Sequence, residues 1–196
     1  MQVRQLPLAE RQAQLDALAA LRIEVFREWP YLYDGDPDYE RDYLTVYARA
    51  PRSVVVVAED AGRIVGAATG LPLVDQDPAF QAPFLASGFD PTEVFYFGES
   101  VLLSQWRGRG IGHLFFDARE AHVQSLGGFR WSAFCAVARE PGDPRRPPGW
   151  RALDGFWQAR GYKRDATLKT SLSWRELGAD QASAKTLCTW LRPIAP

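Results

Sequence analysis

The stretch Glu99-Ser-Val-Leu-Leu-Ser-Gln-Trp-Arg107-Gly-Arg-Gly110-Ile-Gly112-His-Leu-Phe-Phe decides the fold. An apolar strand runs into a glycine-rich turn, and the turn opens directly into an amphipathic helix. Ile111, Leu114, Phe115, Ala118 and Leu126 recur at helical spacing, which predicts that this side of the helix faces inward. The first N–H groups of a helix have no partner inside it, and the macrodipole adds partial positive charge there. Gly108, Gly110 and Gly112 remove the side chains that would hold a bulky anion away from those donors. Arg107 and Arg109 add full positive charge. The arrangement predicts a site for phosphate or pyrophosphate.

The spacing chooses among phosphate-binding turns. A Rossmann turn needs Gly-x-Gly-x-x-Gly, and these glycines alternate without a third one three residues on. A P-loop ends in Gly-Lys-Ser/Thr, and Gly112 is followed by His113. The run Arg107-Gly-Arg-Gly110-Ile-Gly112 resembles the Arg/Gln-x-x-Gly-x-Gly/Ala signature of the GCN5-related N-acetyltransferase (GNAT) family. In that family the strand, turn and helix hold the pyrophosphate of coenzyme A. A turn rich in glycine for geometry alone is the competing reading, and the flanking strand and helix weigh against it.

Composition sets the bounds. The 196 residues suffice for one hydrophobic core, so a single domain over residues 1–196 is expected. A net charge of −1 argues against a nucleic-acid partner, which would call for a basic face, so the local arginines suit a small anion. Cys135 and Cys188 each lie in an apolar run and read as packed thiols. His113 and His122 do not share a helix face, and no metal site is expected. No apolar run approaches membrane length, and the N-terminus lacks a signal-peptide core, which predicts a cytoplasmic protein without a membrane partner.

Periodicity predicts the remaining elements. Residues 2–6 alternate weakly as a strand, Glu10 to Glu28 carry a helical stripe closed by Pro30, and Glu40 to Arg49 form a second helix. Between them lies a turn-rich loop, Tyr31-Leu-Tyr-Asp-Gly-Asp-Pro-Asp. Residues 53–59 and 63–71 are strands joined by a hairpin turn at Asp60-Ala-Gly62. Residues 74–91 are too apolar for a free linker and predict a lid or short helix. Val94 to Leu103 is one strand, followed by the glycine turn and a helix to Leu126, which Gly127-Gly128 stops. Residues 129–137 form a strand, 139–149 a loop, 153–160 a short helix, and 162–174 and 185–191 two terminal strands.

The order β-α-α-β-β-β-α-β-α-β-β describes an α/β chain with a mixed, twisted sheet of about seven strands flanked by helices. It is similar to the acyl-CoA N-acyltransferase fold of the GNAT family. That resemblance is specific from Val94 to Val137 and topological at both ends. It implies that backbone of Val101, Leu102 and Leu103 pairs with the pantetheine arm of acetyl-CoA. It further implies that Arg107, Gly108, Arg109, Gly110, Ile111 and Gly112 hold the pyrophosphate.

Acetylating an amine requires a base for the ammonium proton. Glu99, a carboxylate in an otherwise apolar strand, is the leading candidate, with Tyr96, Ser100 and Glu93 as weaker ones. The competing reading of Glu99 is a solvent-facing strand end or an ion pair with an arginine. Leu153 to Tyr162 resembles the late helix of the family, where a tyrosine often protonates the CoA sulfur. Trp157 stands there instead, and an indole N–H has no accessible pKa for proton delivery, so cofactor packing is its expected role. Tyr31, Tyr33 and Asp34, with Asp36 and Asp38 nearby, sit in the loop that borders the acceptor site in the resembled fold. Turn-forming acids on a solvated loop are the competing reading. Cys135 with His122 as its base is discounted, because an apolar strand raises a thiol's pKa.

These readings converge on an acyl-CoA-dependent N-acyltransferase that moves acetyl from acetyl-CoA to a primary amine by direct attack. The acceptor expected is a small-molecule or peptide amine. A non-catalytic acyl-CoA-binding sensor of the same fold is the alternative, kept open by Trp157. A phosphate-binding module unrelated to coenzyme A is a third option. The apolar terminal strand around Leu187, Trp190 and Leu191 could complete a homodimer.

Overall fold

Four consecutive valines, Val54–Val57, are each at most 2% exposed. β-Branched side chains fit a pleated surface that is covered on both faces, and this run forms an inner strand. The computed structural model describes residues 1–194. Strand β2 (Val54–Asp60) pairs antiparallel with β1 (Gln2–Gln5) and with β3 (Arg63–Pro72). The sheet has 8 strands in the order β1-β2-β3-β4-β6-β8-β7, with β5 attached to β3 beside that path. The further strands are β4 (Val94–Tyr96), β5 (Ser100–Leu102), β6 (Trp131–Val137), β7 (Lys163–Trp174) and β8 (Ser183–Pro193). Pairing is antiparallel except between β4 and β6.

The helices differ from the expectations mainly at their ends. The helix expected from Glu10 to Glu28 is α1 (Leu8–Arg11), a 3-10 turn at Gln12–Gln14, and α2 (Leu15–Phe26). The next, α3 (Pro37–Arg49), begins earlier than Glu40. Asp36 caps it by accepting from the amides of Asp38 and Tyr39, and Pro37 suits the first helical position. The apolar connection at 74–91 contains the short helix α4 (Pro78–Ala86), whose Phe80 and Phe84 pack with Val94, Tyr96 and Ala133. Helix α5 (Ile111–Leu126) follows the glycine turn, and α6 (Asp154–Ala159) precedes β7.

One face of α5 departs from the expectation. Ile111, Phe115, Arg119 and Val123 are buried, whereas Leu114 is 45% and Leu126 38% exposed. The inward stripe follows steps of four, which carry it through an arginine and leave those two leucines at its margin.

The expected single strand Val94–Leu103 is two strands. Tyr96 pairs with Leu71 and Ser100 with Ala68, so Phe97, Gly98 and Glu99 stand opposite only Thr69 and Gly70. This is a β-bulge, which bends the chain and releases β5 from the strand beyond β4. Gly98 fits there because a Cβ would collide with the Tyr47 hydroxyl and with Thr69. Gly66 on β3 lies against Phe115 of α5, whereas Thr69 meets Tyr47 of α3. Alternation along β3 therefore places α5 and α3 on opposite faces of the sheet.

β8 lies between β6 and β7, and Leu187 and Trp190 are buried in the protein's own core. The segment around Leu187, Trp190 and Leu191, expected above to offer a dimer surface, is thus an inner strand of the sheet. Among the described residues no helix is long and apolar enough to cross a membrane.

Candidate functional site

The bulge opens a gap in the sheet. Phe97 still donates its amide to Ala133 of β6 at 2.7 Å, but β5 beyond it pairs only with β3. From Phe134 to Val137, β6 pairs only with β8. Leu103 donates to the Val65 carbonyl and Thr69 to the Glu99 carbonyl. In an antiparallel ladder those bonds fix the alternation, so Glu99, Val101 and Leu103 direct their backbone groups to β3. Ser100 and Leu102 direct theirs into the gap. Of the three residues expected to pair with a pantetheine arm, Leu102 has the matching orientation, while Val101 and Leu103 are committed to β3.

The gap leads to the glycine turn. Gly108 and Gly110 hold φ of +74° and +79°, a region that side chains with a Cβ rarely enter. A Cβ at either position would meet no protein atom within 4 Å, so the space in front of them is open. Among the described residues, the amides of Gly108, Gly110, Ile111 and Gly112 donate to no protein acceptor. These free donors at the N-terminus of the 16-residue α5 form an anion cradle.

The two arginines divide their roles. Arg107 donates through Nε to the Leu102 carbonyl at 3.1 Å and pairs with Glu28 at 2.7 Å. Arg109 stacks on Trp106, 4.6 Å from the ring centre, and pairs with no carboxylate among the described residues. Arg109 therefore carries the uncompensated charge beside the cradle.

At the other end of β5, Glu99 belongs to a buried ionic network. Arg22 of α2 holds the Glu99 carboxylate at 2.6 Å and also binds Glu40 of α3. Glu99, Arg22 and Glu40 are 6%, 7% and 1% exposed. Burial pushes the Glu99 carboxyl above its ordinary range, Arg22 pulls it back, and Glu40 adds to the rise. The Tyr43 hydroxyl lies 3.4 Å from the Glu99 carboxylate and 3.1 Å from the Tyr47 hydroxyl, which accepts from Gln76. Burial raises both tyrosines, which stay protonated and serve as hydrogen-bond donors.

The acceptor-side residues join this network unevenly. Tyr31 packs on Phe26 and Trp174, and burial pushes its hydroxyl up to about 12. Burial and the nearby Glu40 carboxylate raise Tyr33, and a polar chain runs from Glu40 through Arg22 to Glu99. Asp34 instead pairs with Arg175 at 2.6 Å and with Arg27 at 3.9 Å. Asp36 is spent on the cap of α3, and Asp38 on Arg41. The loop acids therefore have partners within the protein.

Trp157 packs on Phe134 of β6 and Trp190 of β8, with ring centres 5.1 and 5.0 Å away. Its neighbour Phe156 reaches the phosphate turn, 3.5 Å from where a Cβ on Gly112 would stand. Cys135 contacts Thr189 at 3.4 Å, and burial raises its thiol. His122 instead bonds the Arg52 carbonyl, so the two do not form a nucleophile–base pair. Among the described residues no cluster of three or more His, Cys, Asp or Glu could hold a metal.

Arg22, Glu40, Tyr43 and Arg119 were not singled out in the sequence reading. Their signal was present as charged residues on apolar helical stripes. Arg22 follows Leu15 and Leu18, Glu40 precedes Leu44 and Tyr47, and Arg119 lies between Phe115 and Val123.

The chain matches the acetyltransferase (GNAT) family over residues 18–142, more than half its length. No curated protein matches it in sequence. Among solved structures it is similar to an aminoglycoside 6'-N-acetyltransferase complexed with coenzyme A, with TM-score 0.63 and 16% identity over 100% of this chain and 98% of that one. It is similar to GphF, a GNAT-like decarboxylase in complex with isobutyryl-CoA, with TM-score 0.62 and 18% identity over 100% of both chains. A ribosomal-protein-alanine N-acetyltransferase from Brucella melitensis gives TM-score 0.60 and 16% identity over 98% of this chain and 99% of that one. Identities this low speak for the fold alone, and the family assignment rests on the match over residues 18–142. The chain belongs to the GNAT acetyltransferase family.

Proposed function

We propose that the chain transfers acetyl from acetyl-CoA to a primary amine by direct attack on the thioester. One observation carries this reading: the gap beside β5 joins an open anion cradle at Gly108–Gly112 to a buried carboxylate at Glu99. The cradle amides and Arg109 would take the pyrophosphate, and the gap-facing backbone of Leu102 would align the pantetheine arm. Trp157 would wall the thioester end, and Tyr31, Tyr33 and Asp34 the acceptor side.

In the reaction the amine nitrogen forms a bond to the thioester carbonyl carbon. The amine gives its proton to Glu99, directly or through one water, because burial makes that carboxylate more basic than an exposed one. The carbon–sulfur bond breaks and its electron pair leaves on sulfur. Solvent protonates the thiolate, since the Trp157 indole has no accessible pKa. The products are an amide and coenzyme A.

A second reading, an acyl-CoA sensor without turnover, is favoured by Trp157 and by the ion pair that holds Glu99. Calorimetry with acetyl-CoA, coenzyme A, ADP and NAD, followed by thiol release across polyamines, amino sugars and lysine peptides, separates the two. Acetyl-CoA binding with amine-dependent thiol release supports the transferase. Binding without thiol release supports the sensor, and absence of binding removes both.

A further inference from the structure

Arg119 on α5 is 1% exposed and pairs with no carboxylate among the described residues. Desolvating a guanidinium is costly, so its placement calls for a role. Nη1 donates to the main-chain carbonyls of Thr69 at 3.3 Å and Glu99 at 3.2 Å. Nη2 donates to the Ser100 hydroxyl at 2.8 Å, and Nε to the Phe115 carbonyl at 3.2 Å. The guanidinium also lies against Phe97 and Phe116, 4.3 and 4.7 Å from their ring centres.

Orphaned carbonyls do not explain these bonds. Thr69 already accepts from the Gly98 amide and Glu99 from the Thr69 amide, each at 3.1 Å. What Arg119 adds is a rigid planar fork that joins β3, the bulge and α5. It lies two helical turns from Ile111, about 12 Å along α5, so it connects the bulge to the helix that carries the phosphate turn. Glu99 is thus held at both ends, its carbonyl by Arg119 and its carboxylate by Arg22.

We infer that Arg119 is a positioning residue that fixes the Phe97–Glu99 bulge to α5. It thereby sets where Glu99 stands relative to the phosphate turn. The inference rests on the proposed acetyl transfer, in which cradle and base must act on one thioester. A small displacement of a reacting group is costly in rate even where binding survives.

The test is Arg119→Lys, which keeps the charge but cannot reach three acceptors in one plane, with Ser100→Ala as a milder variant that removes a single bond. Calorimetry with coenzyme A gives affinity. Thiol release from acetyl-CoA, with spermidine, glucosamine and a lysine peptide, and with water alone, gives kcat per folded molecule well below Tm. For Arg119→Lys, kcat should fall about tenfold or more, with coenzyme A affinity and the KM for acetyl-CoA within about threefold of wild type. Ser100→Ala should lower kcat by a smaller factor in the same pattern. A folded Arg119→Lys with wild-type kcat overturns the inference, as does a loss confined to thermal stability or to coenzyme A affinity. If Arg119→Lys does not fold, an unchanged kcat in Ser100→Ala overturns it as well. Failure of the proposed function is distinguishable because it appears in the wild type. No acetyl-CoA binding, or binding with no thiol release under any condition, defeats that reading and this inference together.

Discussion

Arg22 holds the Glu99 carboxylate at 2.6 Å while also binding Glu40, so one buried cation serves two buried carboxylates. Glu99 must be ionised to accept a proton, and its carboxyl is raised above the ordinary 4.5. Turnover should therefore fall as pH drops, with an inflection above the usual glutamate range. Glu99→Gln should remove that acidic limb and lower kcat on the order of 10²-fold, with acetyl-CoA affinity retained. A pH–rate profile of both proteins checks this. A Gln variant with full rate and an unchanged profile assigns the proton to another group.

Loss of the partner in that pair should raise the inflection further. Arg22 favours the charged form of Glu99, so Arg22→Met should move the acidic inflection to higher pH. The same change leaves Glu40 and Glu99 buried without their shared cation, and stability should fall by about 3–5 kcal/mol. Denaturant unfolding and the pH–rate profile read the two effects separately. An inflection that stays in place would mean that Arg22 does not set the basicity of the catalytic group.

The phosphate turn permits a clean binding test. A Cβ at Gly112 meets only Phe156 at 3.5 Å, an ordinary contact, so Gly112→Ala should fold normally. Gly110→Val adds bulk in front of the free amides and strains a backbone at φ +79°. Losing one or two charge-assisted hydrogen bonds in the Val variant should weaken acetyl-CoA binding by about 2 kcal/mol, near thirtyfold. Calorimetry decides it, with circular dichroism to verify folding. Unchanged affinity in a folded Gly110→Val would remove the anion cradle from the account.

Local chemistry made most of this architecture legible. Val54–Val57, the Asp60-Ala-Gly62 turn and Gly127-Gly128 each mark an element through propensities that act over a few residues. The bulge was less legible, because Val94–Leu103 stays largely apolar on both sides of the break and only Gly98 hints at it. The ionic network was legible only as an ion pair of Glu99 with some arginine, and its partners were hidden for another reason. Arg22 and Glu40 meet across 18 residues and Arg119 reaches Glu99 across 20, distances over which helical periodicity carries no information. Periodicity assigns such residues to the inward face without naming their partners. The loop acids show the reverse case, since the sequence leaves Asp34 and Asp38 open between an acceptor border and a solvated turn and does not show Arg175 and Arg41 beside them.

Those pairings redirect the expectation for the acceptor loop. Asp36→Ala should cost about 1 kcal/mol of stability through loss of the α3 cap, with the acceptor KM unchanged. Asp34→Asn should have little effect on KM for an amine acceptor, because Arg175 already balances that charge. Thermal melts and KM measurements at two salt concentrations distinguish the cases. A salt-sensitive rise in KM confined to Asp34→Asn would show that this carboxylate turns to the acceptor during binding.

Trp157 lies against Phe134 and Trp190, which face each other on the neighbouring strands β6 and β8. Its contacts are aromatic edges and faces, which a phenyl ring reproduces in part. Trp157→Phe should therefore lower stability by about 1–2 kcal/mol and leave kcat within about threefold of wild type. Trp157→Tyr places a hydroxyl where the indole N–H stood. That hydroxyl can both donate and release a proton, so this variant should match or exceed the wild-type turnover. Stopped-flow thiol release at saturating acetyl-CoA compares the three proteins at the chemical step. A hundredfold loss in Trp157→Phe with unchanged acetyl-CoA affinity would mean that the indole N–H bonds the departing sulfur in the transition state. Packing would then be the lesser part of what Trp157 does.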